Sequence, residues 1–445
     1  SSIHRILSQS ILKKLENLMD KFIIEGGVPL HGEMTPSGNK NAALPLLAAC
    51  LLTEEPVILH NVPNIQDVQI MRKLIMSLGV EIEDLGAGTL RIQAKVVRPT
   101  DLDPDICRKI RASILLAGPM VARSGELQLP PPGGDVIGRR RVDTHLLALE
   151  KLGASVIYDR SFKFKAHGLT GADILLDEAS VTATENAIMA CVLAKGNSVI
   201  RNAASEPHIQ ELCHFLNHLG ARIIHIGSNT LKIEGVEALH GGEFTIGPDY
   251  LEVVSFIGAA VVTNGSITVR NAGNKYLDMI KLVFGRLGVT WQENGDDIFV
   301  PADQSKIIEP DLGGAIPTIG VMPWPSFPTD LMSIAIVVAT QSKGTVLFHD
   351  WMYPSRMFFT DKLVGMGAQI VLCDPHRCMV QGPTRLSGEK MESPDIRAGM
   401  SLVLAALSAS GKSVIRNVNQ IDRGYEDVDK KLQSLGAKIV REKED

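Results

Sequence analysis

One pattern of hydrophobic and polar positions recurs six times along the 445-residue chain. An amphipathic helical run closes on Leu/Met-Gly-Ala/Val, and an alternating strand follows. The glycines are Gly79, Gly153, Gly220, Gly288, Gly367 and Gly436, spaced 74, 67, 68, 79 and 69 residues apart. A glycine in that place can take the left-handed conformation that ends a helix. The alternation after it buries one face of a strand. Turns such as Gly227-Ser228-Asn229, Gly295-Asp296-Asp297 and Asp374-Pro375-His376 fold that strand back into a hairpin.

A second phrase precedes these helices: a Val/Ile-rich strand, often ending in Arg-Asn. Copies are NSVIRNAA (197–204), SITVRNAG (266–273) and KSVIRNVN (412–419), with GTVLFHD (344–350) a looser one. Before each strand lies an apolar helix rich in small residues, as at 188–194, 254–262, 332–340 and 401–410. The pattern predicts six cassettes of strand–helix–strand–helix–strand–strand, an α/β chain closing as two lobes of three. Two lobes imply a cleft between them, a common place for ligands. KFIIEG (21–26) is an opening strand without a cassette of its own, expected to complete the C-terminal lobe. That lobe is read as 19–40 plus 249–445, and the N-terminal lobe as 41–248. Residues 1–18 carry Ile3, Leu7, Ile11, Leu15 and Leu18 on one helical stripe. They predict an amphipathic extension without the apolar run of a signal peptide.

Composition narrows the class. Hydrophobic residues at 45% and charged residues at 21% exclude disorder. Forty glycines with only 4% aromatics mean many turns and cores of Ala, Val, Ile and Leu. The net charge of −5 argues against nucleic acid as partner but leaves room for local basic sites. Six cysteines make no disulfide framework, so free thiols and a cytoplasmic location are expected. No apolar run reaches the ~18 residues of a membrane span.

Several chemical signals fail on spacing. Gly411-Lys412-Ser413 has Ala406 where a P-loop requires glycine. His208, His214 and His218 share a predicted helix, but two ligands close no metal site, and surface histidines are expected. Cys373 and Cys378 lack Cys-x-x-Cys spacing. No metal or cofactor is expected. Three loops carry more. Gly38-Asn39-Lys40-Asn41 opens an apolar helix, where backbone N–H groups and Lys40 can meet an anion. Pro130–Gly134 leads through Asp135 to Arg139, Arg140 and Arg141, either a phosphate-binding lid or a solvated basic turn. Phe327-Pro328-Thr329-Asp330 places a carboxylate before a buried helix, as a general base or a simple cap. Arg356, Arg397 and Arg423 stand at loops or helix starts of later cassettes. Cations at corresponding ends of several units suggest one anion site.

Five motifs in combination resemble the UDP-N-acetylglucosamine 1-carboxyvinyltransferases. They are Ser-Gly-Asn-Lys-Asn-Ala-Ala-Leu-Pro (37–45), Arg-Ala-Ser-Ile (111–114), Pro-Gly-Gly-Asp-Val-Ile-Gly-Arg-Arg (132–140), Phe-Pro-Thr-Asp and Ile-Asp-Arg-Gly-Tyr-Glu (421–426). The resemblance runs from Met19 to the C-terminus. It implies the enolpyruvyl-transferase fold, two lobes of three βαβαββ units, an inside-out α/β barrel. It also implies transfer of enolpyruvate from phosphoenolpyruvate to the 3-hydroxyl of UDP-N-acetylglucosamine in peptidoglycan synthesis, hence in cell-wall biogenesis, cell shape and division. By motif, Lys40, Asn41, Arg140, Arg397 and Arg423 would hold phosphoenolpyruvate. Asn41, Arg111, Arg140, Arg141, Val142, Asp143, Thr144, Glu178, Ala179, Ser180, Val181, Asp330 and Met352 would line the UDP-sugar. Glu206, Arg356 and Asp395 would support them. Asp135, Asp330, Lys40 and Arg423 would be catalytic.

The chain departs from that family at several places. Asp135 stands where most members carry cysteine. A carboxyl can serve as general acid if closure raises its pKa, but it forms no thioether with fosfomycin, the family's thiol-directed inhibitor. Arg141, Thr144, Glu178 and Thr182 replace the usual proline, leucine, lysine and glycine. Tyr353-Pro354-Ser355-Arg356 replaces Phe-Glu-Asn-Arg. Glu178 beside a diphosphate would repel it unless Arg141 offsets the charge. The alternatives are an enolpyruvyl transferase for another acceptor, such as another nucleotide or shikimate 3-phosphate, and an inactive UDP-sugar-binding paralogue that regulates a partner.

Overall fold

The computed structural model describes residues 19–133 and 142–444. The extension at 1–18 and the loop residues Asp135, Arg139, Arg140 and Arg141 lie outside the described residues. The rest forms two compact units. One holds described residues 19–35, 251–321 and 329–444, and the other holds 36–250 and 322–328. The crossings fall at 35/36 and 250/251, not at 40 and 249. Residues 36–40 belong to the second unit because Asn39 N–H donates to Gly247 O at 2.8 Å and Asp249 N–H to Ser37 O at 2.9 Å. The excursion at 322–328 breaks no repeat and left no signal in the pattern.

The cassette is complete between Asp173 and Glu234. Strand Asp173–Leu175 runs parallel to Asn197–Arg201, with the buried helix Val181–Cys191 crossing between them. Helix Pro207–His218 then leads into the antiparallel strands Arg222–Ile224 and Thr230–Glu234. Six such sheets occur among the described residues, five of four strands and one of three. All are open, and none closes into a barrel among the described residues. The three-stranded one contains Glu126–Leu129, Ser161–Lys165 and Ser155–Asp159. Its leading strand is missing where Pro99 and Pro104 interrupt the chain, so this cassette is not the full repeat the pattern predicts.

Two sheets are completed from far along the chain. Strand Gly242–Thr245 pairs in parallel with Val57–His60. Strand Asp20–Glu25, from the KFIIEG segment, lies between Lys412–Arg416 and Lys438–Lys443. A further strand, His31–Met34, pairs with Ser266–Val269. Its sequence HGEM shows no alternation, and three of its four residues are exposed.

Helices are central and sheets peripheral within each unit. Helices Tyr250–Val262 and Met332–Thr340 are wholly buried, and Ile396–Ser408 nearly so. Small residues set their approach. A methyl group on Gly258 would lie 2.9 Å from Leu404 Cδ2 and 3.0 Å from Ile334 Cγ2. In the other unit a methyl on Gly118 would lie 2.6 Å from Asn186 O. The strands alternate between core and solvent, as in Thr230–Glu234. The six helix-ending glycines have φ between +79° and +110°. The asparagine closing the second phrase is also left-handed: Asn61, Asn202, Asn271 and Asn417 have φ of +52° to +59°. Asparagine tolerates that region better than most side chains.

Candidate active site

In the second unit, helix Lys40–Ala49 starts at the Gly-Asn-Lys-Asn turn. Asn39 caps it, its Oδ1 accepting from Asn41 N–H at 2.9 Å. The cap fixes Lys40 and Asn41 as the first two helical residues, beside the helix's unpaired N–H groups. Lys40 is buried, and its Nζ lies 2.9 Å from Asp67 Oδ2. Both side chains are at least nine-tenths buried. Asp67 lies in the first turn of helix Gln66–Ser77. It holds the ammonium in one place, a function the sequence does not disclose.

Arg111, Thr144 and residues 177–182 form a second group in that unit. Arg111 opens the turn Arg111–Leu116, and Asp143 opens the helix Asp143–Lys151. Val142 precedes that helix. Thr144 is buried, and its hydroxyl donates to Asp177 Oδ1 at 2.7 Å, with Glu178 Oε1 at 3.5 Å. The substituted positions 144 and 178 are therefore joined to each other. Glu178 and Ala179 lead into Ser180, which caps helix Val181–Cys191 by accepting from Ala183 N–H at 3.3 Å.

His145 ties this group to the core. It is fully buried, with Nδ1 2.9 Å from Asn186 Nδ2 and Nε2 3.1 Å from Thr182 Oγ1. Asn186 Oδ1 accepts from Gly118 N–H at 2.9 Å, and its Nδ2 donates to Ile114 O at 2.8 Å. The amide's second N–H then points at His145 Nδ1. The imidazole is thus neutral with its proton on Nε2, donated to Thr182. Burial, then the Arg111 charge, pushes the His145 pKa down to about 3. Glu185, one helix position before Asn186, is buried as well. Burial, then the Glu206 carboxylate, raises its pKa well above the usual range.

These two groups oppose each other in pH. Unfolded histidine binds a proton below about 6.5 and folded His145 does not, so its contribution falls as pH drops from 6.5 towards 3. Folded Glu185 keeps its proton while the unfolded carboxyl ionises above about 4.5, so its contribution falls as pH rises through that value. Just above pH 4.5 the two slopes have opposite signs. Glu185→Gln is therefore expected to lose stability, relative to wild type, as pH falls towards 4.5. Denaturation midpoints measured at a series of pH values above 4.5 test it, and a difference independent of pH would contradict the assignment.

In the first unit, Asp330 sits in the turn Thr329–Leu331, directly before helix Met332–Thr340. Leu331 is the helix cap, so Asp330 is not. Arg356 Nη2 lies 3.0 Å from Asp330 Oδ1, with the arginine buried and the carboxylate 30% exposed. The guanidinium stacks over Tyr353 at 5.0 Å. Met352, partly buried, belongs to the same loop. Asp395 caps helix Ile396–Ser408, its Oδ1 accepting from Arg397 and Ala398 N–H at 2.8 Å each. Arg397 is buried over the Tyr425 ring at 5.6 Å. Arg423 follows helix Asn419–Asp422 and donates to Gln420 Oε1 at 3.4 Å. Arg441 binds Asp422 through two contacts of 2.7 and 2.8 Å, which anchors the turn ahead of Arg423.

The structure thus joins Thr144 to Glu178, and Asp330 to Arg356. It gives Lys40 and Arg397 fixed, buried positions. Glu206 heads helix Pro207–His218. His208 on that helix is buried, against the expectation of a surface histidine, while His214 and His218 are exposed. No cluster of metal ligands occurs among the described residues. No helix among them is long and apolar enough to cross a membrane.

The fold matches the enolpyruvyl transferase NikO from Streptomyces tendae with a TM-score of 0.86 at 23% identity, covering 96% of this chain and all of that one. It matches an EPSP synthase from Acinetobacter baumannii at 0.74 and 16%, over 95% of this chain and all of that one. The sequence model of EPSP synthase (3-phosphoshikimate 1-carboxyvinyltransferase) matches residues 24–432. Proteins named UDP-N-acetylglucosamine 1-carboxyvinyltransferase are 54% identical in Treponema denticola, 55% in Bradyrhizobium diazoefficiens and 51% in Borreliella burgdorferi. The alignments cover 95–96% of this chain and 98–100% of those proteins. The chain belongs to the UDP-N-acetylglucosamine 1-carboxyvinyltransferase family, and it is a transferase.

Proposed function

We propose that the chain transfers enolpyruvate from phosphoenolpyruvate to the 3-hydroxyl of UDP-N-acetylglucosamine, the first committed step of peptidoglycan synthesis. The observation that carries this is identity of 51–55% over nearly the whole length of relatives with that name. Cell-wall biogenesis, and through it cell shape and division, would depend on this reaction in the cytoplasm.

The residues divide the chemistry. Asp330 takes the proton of the sugar hydroxyl as its oxygen attacks C2 of phosphoenolpyruvate. Asp135 delivers a proton to the C3 methylene, giving a tetrahedral adduct with a C3 methyl. Loss of a C3 proton then expels phosphate and restores the double bond. Lys40, Arg140, Arg397 and Arg423 hold phosphate and carboxylate, cations aimed at charge that grows during reaction. Asn41, Arg111, Asp143, Thr144, residues 178–181 and Met352 receive the nucleotide sugar. The buried pair of Lys40 with Asp67 supports this reading, because a fixed ammonium costs little reorganisation.

A methyl intermediate has a direct signature. Turnover in D2O is expected to place deuterium in the vinyl group of the product, read by mass spectrometry. Product free of deuterium would contradict addition and elimination.

A further inference from the structure

The strand phrase closes on asparagine in four cassettes and on aspartate in one. Six residues after Gly196, Gly265 and Gly411 come Asn202, Asn271 and Asn417, whereas six after Gly344 comes Asp350. Three asparagines of this slot donate through Nδ2 to the carbonyl just past their sheet's leading strand. Asn61 reaches Ile246 O at 2.9 Å, Asn202 reaches Leu176 O at 3.0 Å and Asn417 reaches Ser393 O at 3.2 Å. A carboxylate cannot donate that bond. Asp350 is fully buried and is not left-handed. It accepts instead: from the Thr329 hydroxyl at 2.8 Å on Oδ2, and from Met352 and Tyr353 N–H at 2.8 and 3.2 Å on Oδ1. Its carbonyl lies 2.7 Å from His376 Nδ1.

These contacts close a ring. Thr329 precedes Asp330, Asp330 pairs with Arg356, and the Arg356 loop returns through Tyr353 to Asp350. We infer that Asp350 is a positioning residue, whose two carboxylate oxygens fix the Asp330 turn against the Met352–Arg356 loop. The inference rests on the proposed role of Asp330. A general base displaced by even 1 Å loses much of its effect, so a fully buried anchor is placed where it has leverage on rate.

The test uses the full chain. Thr329→Val removes the hydroxyl and Thr329→Ser keeps it. Thr329→Val and Asp350→Asn are expected to lower kcat about tenfold or more with the phosphoenolpyruvate KM nearly unchanged. Thr329→Ser should retain most of kcat. Hydrogen exchange at the Met352 and Tyr353 amides should be about tenfold faster in Asp350→Asn, the fold-change expected for losing one charge-assisted bond. Full kcat in Thr329→Val, equal loss in Thr329→Ser, or unchanged exchange would overturn the inference. If the wild-type chain turns nothing over, the functional reading fails, and the exchange comparison still decides the clamp.

Discussion

Asp330→Asn is expected to lower kcat by about 10²–10⁴-fold, the range for losing a positioned general base. The phosphoenolpyruvate KM should change little. Asparagine keeps the shape of the side chain and cannot accept the sugar hydroxyl's proton. The position is well suited to the task. The turn Thr329–Leu331 is tied to Asp350 on one side and paired with Arg356 on the other, and the carboxylate stays 30% exposed. The variant also leaves a buried guanidinium without its anion, which destabilises a site by itself. Thermal unfolding run in parallel separates the two effects, because a catalytic loss persists at temperatures where the variant is folded. Near-wild-type kcat in Asp330→Asn would remove Asp330 from the base role.

The second large effect concerns Asp135. Asp135→Asn should abolish measurable turnover at neutral pH while UDP-N-acetylglucosamine still binds, because the amide has no proton to give to C3. The same residue predicts the response to fosfomycin. An alkylating agent that traps a thiolate needs a cysteine in this loop, and a carboxylate is a much poorer nucleophile that forms no thioether. Wild type should therefore keep full activity and its native mass after incubation with fosfomycin. Asp135→Cys should gain a covalent adduct. A stable adduct on wild type at this loop, or full activity in Asp135→Asn, would refute the assignment.

The repeat was legible because each copy ends a helix on a glycine that must be left-handed. Six positions with φ of +79° or more favour glycine strongly enough to show in a sequence. The strand His31–Met34 was not legible, since it is short and polar and pairs at a sheet edge with Ser266–Val269. The candidate site divides in the same way. Lys40 and Asp330 announce themselves through Gly, Asn and Pro in the loops around them. Asp67 does not, because its pairing with Lys40 depends on how two helices lie together. His145 and Asn186 are 41 residues apart and look like ordinary core positions until the structure joins them. Asp350 acts on backbone N–H groups, which carry no side-chain signature. The departures at Thr144, Glu178 and Thr182 looked like separate losses in the sequence. In the structure, Thr144 meets Glu178 through its hydroxyl, and Thr182 accepts from His145.

The most direct test is phosphate release from phosphoenolpyruvate by the full chain, measured with UDP-N-acetylglucosamine, other nucleotide sugars and shikimate 3-phosphate as separate acceptors. The predicted result is one phosphate released for each enolpyruvyl-UDP-N-acetylglucosamine formed, with the other acceptors slower by at least about two orders of magnitude, as expected where buried polar contacts discriminate. Release with another acceptor and none with UDP-N-acetylglucosamine would contradict the substrate assignment. Binding of UDP-N-acetylglucosamine with no release from any acceptor would contradict the enzyme itself.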